Sequence, residues 1–131
     1  MEKILVVDDE IQVVRLLKEF LTSKGYEVDT ALNGEEALTK VKSMNPDIVL
    51  LDIMMPGMGG IDTLKEIKKF APNIAVIMVT AVIDEELANR AVKLGAFDYI
   101  TKPIDIHYLE TCVMVKMIQI LGERSAPRHE S

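Results

Sequence analysis

Cysteine is all but missing from this chain. Cys112 stands alone, so no intramolecular disulfide and no cysteine-rich metal site can form. Basic charge is in deficit: 15 Lys and Arg face 21 Asp and Glu, for a formal net charge of −6. Gripping a phosphate backbone relies on clustered Lys and Arg, so this balance argues against a nucleic-acid grip spread over the surface, and no direct nucleic-acid binding is expected. A DNA-binding domain outside the chain is not excluded. Long hydrophobic runs are also lacking. Met1-Glu2-Lys3 leads into an apolar stretch too short for a membrane span or a signal-peptide core, and a cytoplasmic protein without a membrane segment is expected. There are no internal repeats and no low-complexity tract. Gly57-Met58-Gly59-Gly60 fails as a dinucleotide loop, because the last glycine of G-x-G-x-x-G would fall on Asp62. No Gly-Lys-Ser/Thr step is present, which removes a nucleotide-gripping P-loop, and His107 and His129 have no partner at metal-binding spacing.

What is present is the material of one globular domain. The chain has 131 residues, of which 49% are hydrophobic, enough to fold without a metal or disulfide staple. Ile4 to Val7 is a continuous apolar run closed by Asp8-Asp9-Glu10, the pattern of a strand buried on both faces. From Ile11 to Ser23 apolar residues recur at helical spacing (Val14, Leu17, Phe20, Leu21), and Gly25 sits where a C-cap glycine belongs. Tyr26 to Ala31 reads as a weaker, edge-like strand. Asn33 is placed as an N-cap, with Glu36 as the reaching partner of a capping box, and Pro46 bars that helix from continuing.

Asp47 to Leu51, with Ile48-Val49-Leu50-Leu51, is the clearest buried strand and ends at Asp52; a helix with Ile61, Leu64, Ile67 and Phe70 on one side follows. Ile74 to Val79 is a further strand, ending at Thr80, and Asp84 caps the next helix, which stops at Gly95. Phe97 to Ile100 ends at Thr101-Lys102-Pro103. The last helix spans roughly Asp105 to Leu121, so the domain covers 1–121, with 122–131 a polar tail or the start of a linker.

Five strands alternating with five helices predict an α/β fold: a doubly wound parallel sheet with helices on both faces. The five-stranded version of this architecture, flavodoxin-like, has the order 2-1-3-4-5. Its ligand crevice lies at the C-terminal strand ends, between the first and third strands. Asp8, Asp9, Asp52, Thr80 and Lys102 all fall at that edge. Carboxylates gathered in one crevice repel each other and call for a cation. An all-oxygen site of few ligands suits Mg²⁺ (or Mn²⁺). Asp52 is then a nucleophile able to take a phosphoryl group, with Lys102 pairing to one phosphoryl oxygen and Thr80 donating to another.

At this point the sequence resembles the receiver domains of two-component response regulators, the CheY-like superfamily, across Lys3 to Leu121. The matching pieces are Val7-Asp8-Asp9-Glu10, Leu51-Asp52-Ile53-Met54-Met55-Pro56-Gly57-Met58, Val79-Thr80-Ala81 and Asp98-Tyr99-Ile100-Thr101-Lys102-Pro103. The resemblance implies that Asp52 is the phosphoacceptor. It implies that Asp9 binds the metal directly, that Asp8 does so through water, and that the Met54 carbonyl adds a ligand. It implies that the Ala81 N–H helps Thr80 and Lys102 hold the phosphoryl group. The Lys102–Pro103 bond would be cis, and Tyr99 would turn inward as Thr80 moves. Implied partners are a sensor histidine kinase or phosphotransfer protein and an effector domain outside this chain. The phosphoryl signal would act on the surface of the fourth helix, fifth strand and fifth helix. Met54 and Val82 occupy the family's two lifetime-tuning positions; both are apolar, so slow self-dephosphorylation is expected.

The last helix adds a hint of its own. Leu109, Val113 and Ile120 share one side, whereas Val115 and Ile118 fall off it, which points to a second copy of the chain or an output domain against the outer side. Two other functions compete. A Mg²⁺-dependent phosphohydrolase working through an aspartyl-phosphate needs an acid two residues after the nucleophile, and Met54 stands there. A flavodoxin-like ligand-binding module would set a ligand's phosphate against the clustered carboxylates.

Overall fold

The computed structural model describes residues 2–125. Strands β1 (Lys3–Val7), β2 (Glu27–Ala31), β3 (Ile48–Leu51), β4 (Ala75–Thr80) and β5 (Asp98–Thr101) alternate with helices α1 (Ile11–Ser23), α2 (Gly34–Met44), α3 (Gly60–Phe70), α4 (Glu85–Lys93) and α5 (Ile106–Ser125). All pairings are parallel, in the order β2-β1-β3-β4-β5. The α/β doubly wound fold read from the sequence is therefore the observed one.

Strand position follows from apolar content. β3 and β4 are buried along their whole length and β1 along all but its first residue; these are the three central strands. β2 and β5 carry mixed residues and take the two edges. Alternation then divides each central strand between two cores. Ile4, Val6, Leu50 and Ile77 pack with Val14, Leu17 and Leu21 of α1 and with Leu109, Val113 and Met117 of α5. Leu5, Val7, Leu51 and Met78 pack with Ala37 and Val41 of α2, Leu64 and Ile67 of α3, and Ala91 of α4. Truncating a fully buried residue such as Leu50 or Ile77 to alanine costs about 2–5 kcal/mol.

The helix ends follow local chemistry. The Asn33 side chain accepts from the Glu36 N–H at 2.8 Å, and Asp84 accepts from the Glu86 and Leu87 N–H groups. The chain leaves α1 through Gly25 (φ 95°) and α4 through Gly95 (φ 106°), left-handed positions where glycine carries no Cβ strain.

Three expectations need correction. α5 runs through Ser125, four residues past its expected end at Leu121. Gly122 lowers helix propensity by only about 1 kcal/mol. The Arg124 guanidinium meets the Asp47 carboxylate and ties the added turn to the domain. Residues 126–131 of the expected tail lie outside the described residues. Phe70 is not in the core; it is 56% exposed, with the Lys42 ammonium over its ring. The Glu36 side chain pairs with Lys40 at 3.7 Å, so the capping box has only its Asn33 half.

Candidate functional site

β1, β3 and β5 end on the same edge, and their following residues meet there. The registers Val7↔Leu51, Leu51↔Met78 and Thr80↔Thr101 align these ends. Asp8 and Asp52 are buried although ionisable. Such groups are rarely buried without a partner. The partner is Lys102. Its ammonium lies 2.6 Å from Asp8 Oδ2, 3.2 Å from Glu10 Oε1 and 3.3 Å from Asp52 Oδ2. The other Asp52 oxygen accepts from the Met54 N–H at 3.4 Å, and Asp8 Oδ1 accepts from the Glu10 N–H at 2.9 Å.

The electrostatics are those of excess negative charge around one cation. Burial raises the pKa of Asp8. Hydrogen bonds from Lys102 and the Glu10 N–H oppose that rise, the neighbouring Asp52 charge adds to it, and the net shift is upward. Burial alone would lower the pKa of Lys102. The hydrogen bond to Asp8 and the charges of Asp52 and Asp8 outweigh it, and the ammonium is held protonated more firmly than an ordinary lysine. One carboxylate oxygen each from Asp8, Glu10 and Asp52 lies within 4.8 Å of the others. Hard oxygen donors carrying surplus charge fit a divalent cation such as Mg²⁺ or Mn²⁺.

Three expected site residues, Asp8, Asp52 and Lys102, are thus brought together. Asp9 is not: it is exposed and outside the carboxylate group, where Glu10 stands instead. The backbone gives the reason. Glu10 is still extended (φ −86°, ψ 104°), and along extended chain alternate residues share a side, so 8 and 10 face together while 9 faces away. The sequence reading missed Glu10. The alternation of three consecutive acids at a strand end was the signal that could have found it.

Thr80, wholly buried at the end of β4, accepts from the Val82 N–H at 3.3 Å. The Tyr99 hydroxyl donates to the Val82 carbonyl at 2.7 Å. Val82 therefore joins the two expected switch residues through its own backbone. Burial, then the charges of Asp84 and Asp52, push the Tyr99 pKa upward. Ala81 is exposed in the loop between them. The Lys102–Pro103 peptide is cis. Gly60 lets α3 begin against the acceptor strand's end, since a Cβ there would sit 2.0 Å from the Asp52 carbonyl oxygen. A cleft of about 590 Å³ at the opposite sheet edge has Asp47, Glu123 and Arg124 as its charged lining, with Asp47 and Arg124 paired to each other.

With that geometry in place, the comparisons with known proteins are decisive. Residues 4–114 match the model of the response regulator receiver domain. The chain belongs to this family. The receiver is 45% identical over 103 residues to the chemotaxis protein CheY of Thermotoga maritima, covering 78% of this chain and 86% of that protein. It is 41% identical to sporulation initiation phosphotransferase F of Bacillus subtilis, covering 86% of this chain and 90% of that one. It also matches the regulatory protein AtoC of Escherichia coli at 39% identity over 97% of its own length, but spans only 27% of that longer protein. Among solved structures, the response regulator TrrA of Thermotoga maritima in complex with Mg²⁺-BeF aligns with TM-score 0.80 and 41% identity over 88% of this chain and 99% of that one. A receiver domain from Methanospirillum hungatei aligns with TM-score 0.90 and 31% identity over 94% of this chain and 98% of that one. The receiver is accordingly a signalling domain of two-component systems. Among the described residues no helix is long and apolar enough to cross a membrane.

Proposed function

We propose that this receiver takes a phosphoryl group onto Asp52 from a sensor histidine kinase or phosphotransfer protein and thereby switches the surface formed by α4, β5 and α5. The observation that carries this reading is the single ammonium of Lys102 in reach of both Asp52 and Asp8, from strands far apart in sequence. An Asp52 oxygen attacks the donor's phosphorus, the bond from phosphorus to the donor imidazole nitrogen breaks, and that nitrogen keeps the electron pair. Lys102 pairs with a phosphoryl oxygen, while Thr80 and the Ala81 N–H donate to the others. Asp52, Asp9, the Met54 carbonyl and, through water, Asp8 would hold Mg²⁺ or Mn²⁺, which when bound offsets charge on the transferring group. For Asp9 this requires its exposed side chain to rotate inward.

The phosphoryl group adds close to two negative charges and new acceptors. Thr80 turns towards them and changes its contact with the Val82 backbone, which also holds Tyr99. The ring's position then reports the state of Asp52 to α4, β5 and α5. That surface carries exposed Val92, Phe97, Tyr108, Met114 and Ile118, suited to a second copy of the chain or to an effector domain outside it. Met54, 65% exposed at the mouth, and Val82 cannot orient an attacking water, so the phosphoryl group persists for minutes or longer; decay within seconds would contradict this.

The direct test is incubation with acetyl phosphate and Mg²⁺, followed by intact mass. The wild type gains one phosphoryl group and Asp52→Ala gains none. Equal labelling of both overturns the assignment. Turnover of small phosphate esters would instead favour a phosphohydrolase. A chromophore carried through purification would favour a flavin-binding module.

A further inference from the structure

Lys102 has three carboxylate partners, and an arriving phosphoryl group must displace at least one of them. The three are not equal. Asp8 is the nearest, at 2.6 Å, and its side chain is 4% exposed, so releasing it would strand a buried charge. Asp52 is the acceptor itself and gives up its free carboxylate in the reaction. Glu10, at 3.2 Å, has a side chain 62% exposed, and water replaces Lys102 around it at little cost. Glu10 is also aimed at this role. It is the N-cap residue of α1, yet its side chain makes no capping hydrogen bond. Its backbone N–H is fixed by Asp8 Oδ1, which turns the carboxylate towards Lys102.

We infer that Glu10 is a positioning residue that holds Lys102 in the place a phosphoryl oxygen later takes, and so competes with the incoming phosphoryl group. The inference rests on the proposed phosphoryl chemistry at Asp52. It assigns Glu10 a cost in affinity for the donor and none in the chemical step, because the pair is gone once the donor is bound.

The experiment compares wild type, Glu10→Gln and Asp52→Asn in acetyl phosphate labelling and in titration with beryllofluoride, both with Mg²⁺. Glu10→Gln keeps the length and removes the charge. With Mg²⁺ saturating for each protein, the half-saturating concentration of both probes falls roughly two- to fivefold, the range of one exposed ion pair. A half-saturating concentration that is unchanged or higher in Glu10→Gln overturns the inference, as does an effect confined to the saturating rate. If the wild type takes up neither probe, or Asp52→Asn takes both, the phosphoryl reading itself has failed, which is a separate outcome.

Discussion

The two edges of the sheet solve the burial of charge in opposite ways. At the N-terminal edge the Asp47 carboxylate accepts from the Lys3 N–H at 2.8 Å and pairs with the Arg124 guanidinium, so this carboxylate has a cation of its own. At the C-terminal edge Asp8, Glu10 and Asp52 share one ammonium, which leaves two formal negative charges uncompensated. The first arrangement stabilises; the second stores repulsion that a cation or a phosphoryl reaction relieves. Charge balance, more than burial, separates a structural ion pair from a reactive one.

The comparison can be broken from either side. Lys102→Ala removes the cation that Asp8, Glu10 and Asp52 share and is expected to cost about 3 kcal/mol in urea unfolding with chelator present, a loss that added Mg²⁺ partly reverses. Asp47→Ala is expected to cost about 1–2 kcal/mol, with no response to Mg²⁺, because it orphans the Lys3 amide and frees the last turn of α5. Asp8→Asn has the opposite sign: without metal it raises the thermal midpoint by roughly 2–5 °C, since relief of burial and of Asp52 repulsion outweighs the Lys102 pair that it weakens. A midpoint that drops in Asp8→Asn as it does in Asp47→Ala would erase the distinction between the edges.

The smallest effect is in pH. The folded-state pKa of Asp8 is raised above its unfolded value near 3.8, so the folded state binds that proton more tightly. Its contribution to stability is fully present below the unfolded value and is lost as pH rises through the folded one. In metal-free buffer the wild type therefore loses some stability over that window, and Asp8→Asn, which has no proton to lose, does not. Parallel pH curves for the two proteins would contradict the shift.

Much of this was legible in the residues. Ile48-Val49-Leu50-Leu51 is apolar on both faces and had no place but the middle of a parallel sheet. The doubly wound order then brought Asp8, Asp52 and Lys102 to one edge without any knowledge of distances. What failed depended on geometry that periodicity does not encode. Phe70 kept helical phase with Ile67 but is the last residue of α3 and stands exposed. The extra turn of α5 is held by Arg124, a residue whose partner lies 77 positions away. Glu10 beside Lys102 followed from the extended backbone after β1, which periodicity alone did not show.

The central claim is that Asp52 is the phosphorylated residue, and trapping the acyl phosphate tests it most directly. After acetyl phosphate and Mg²⁺, borohydride reduction converts a phosphorylated aspartate to homoserine, which peptide mapping locates. The account predicts homoserine at position 52 alone, absent when Mg²⁺ is chelated. Homoserine at Asp8, Asp9 or elsewhere, or none at 52 in a labelled protein, would contradict it.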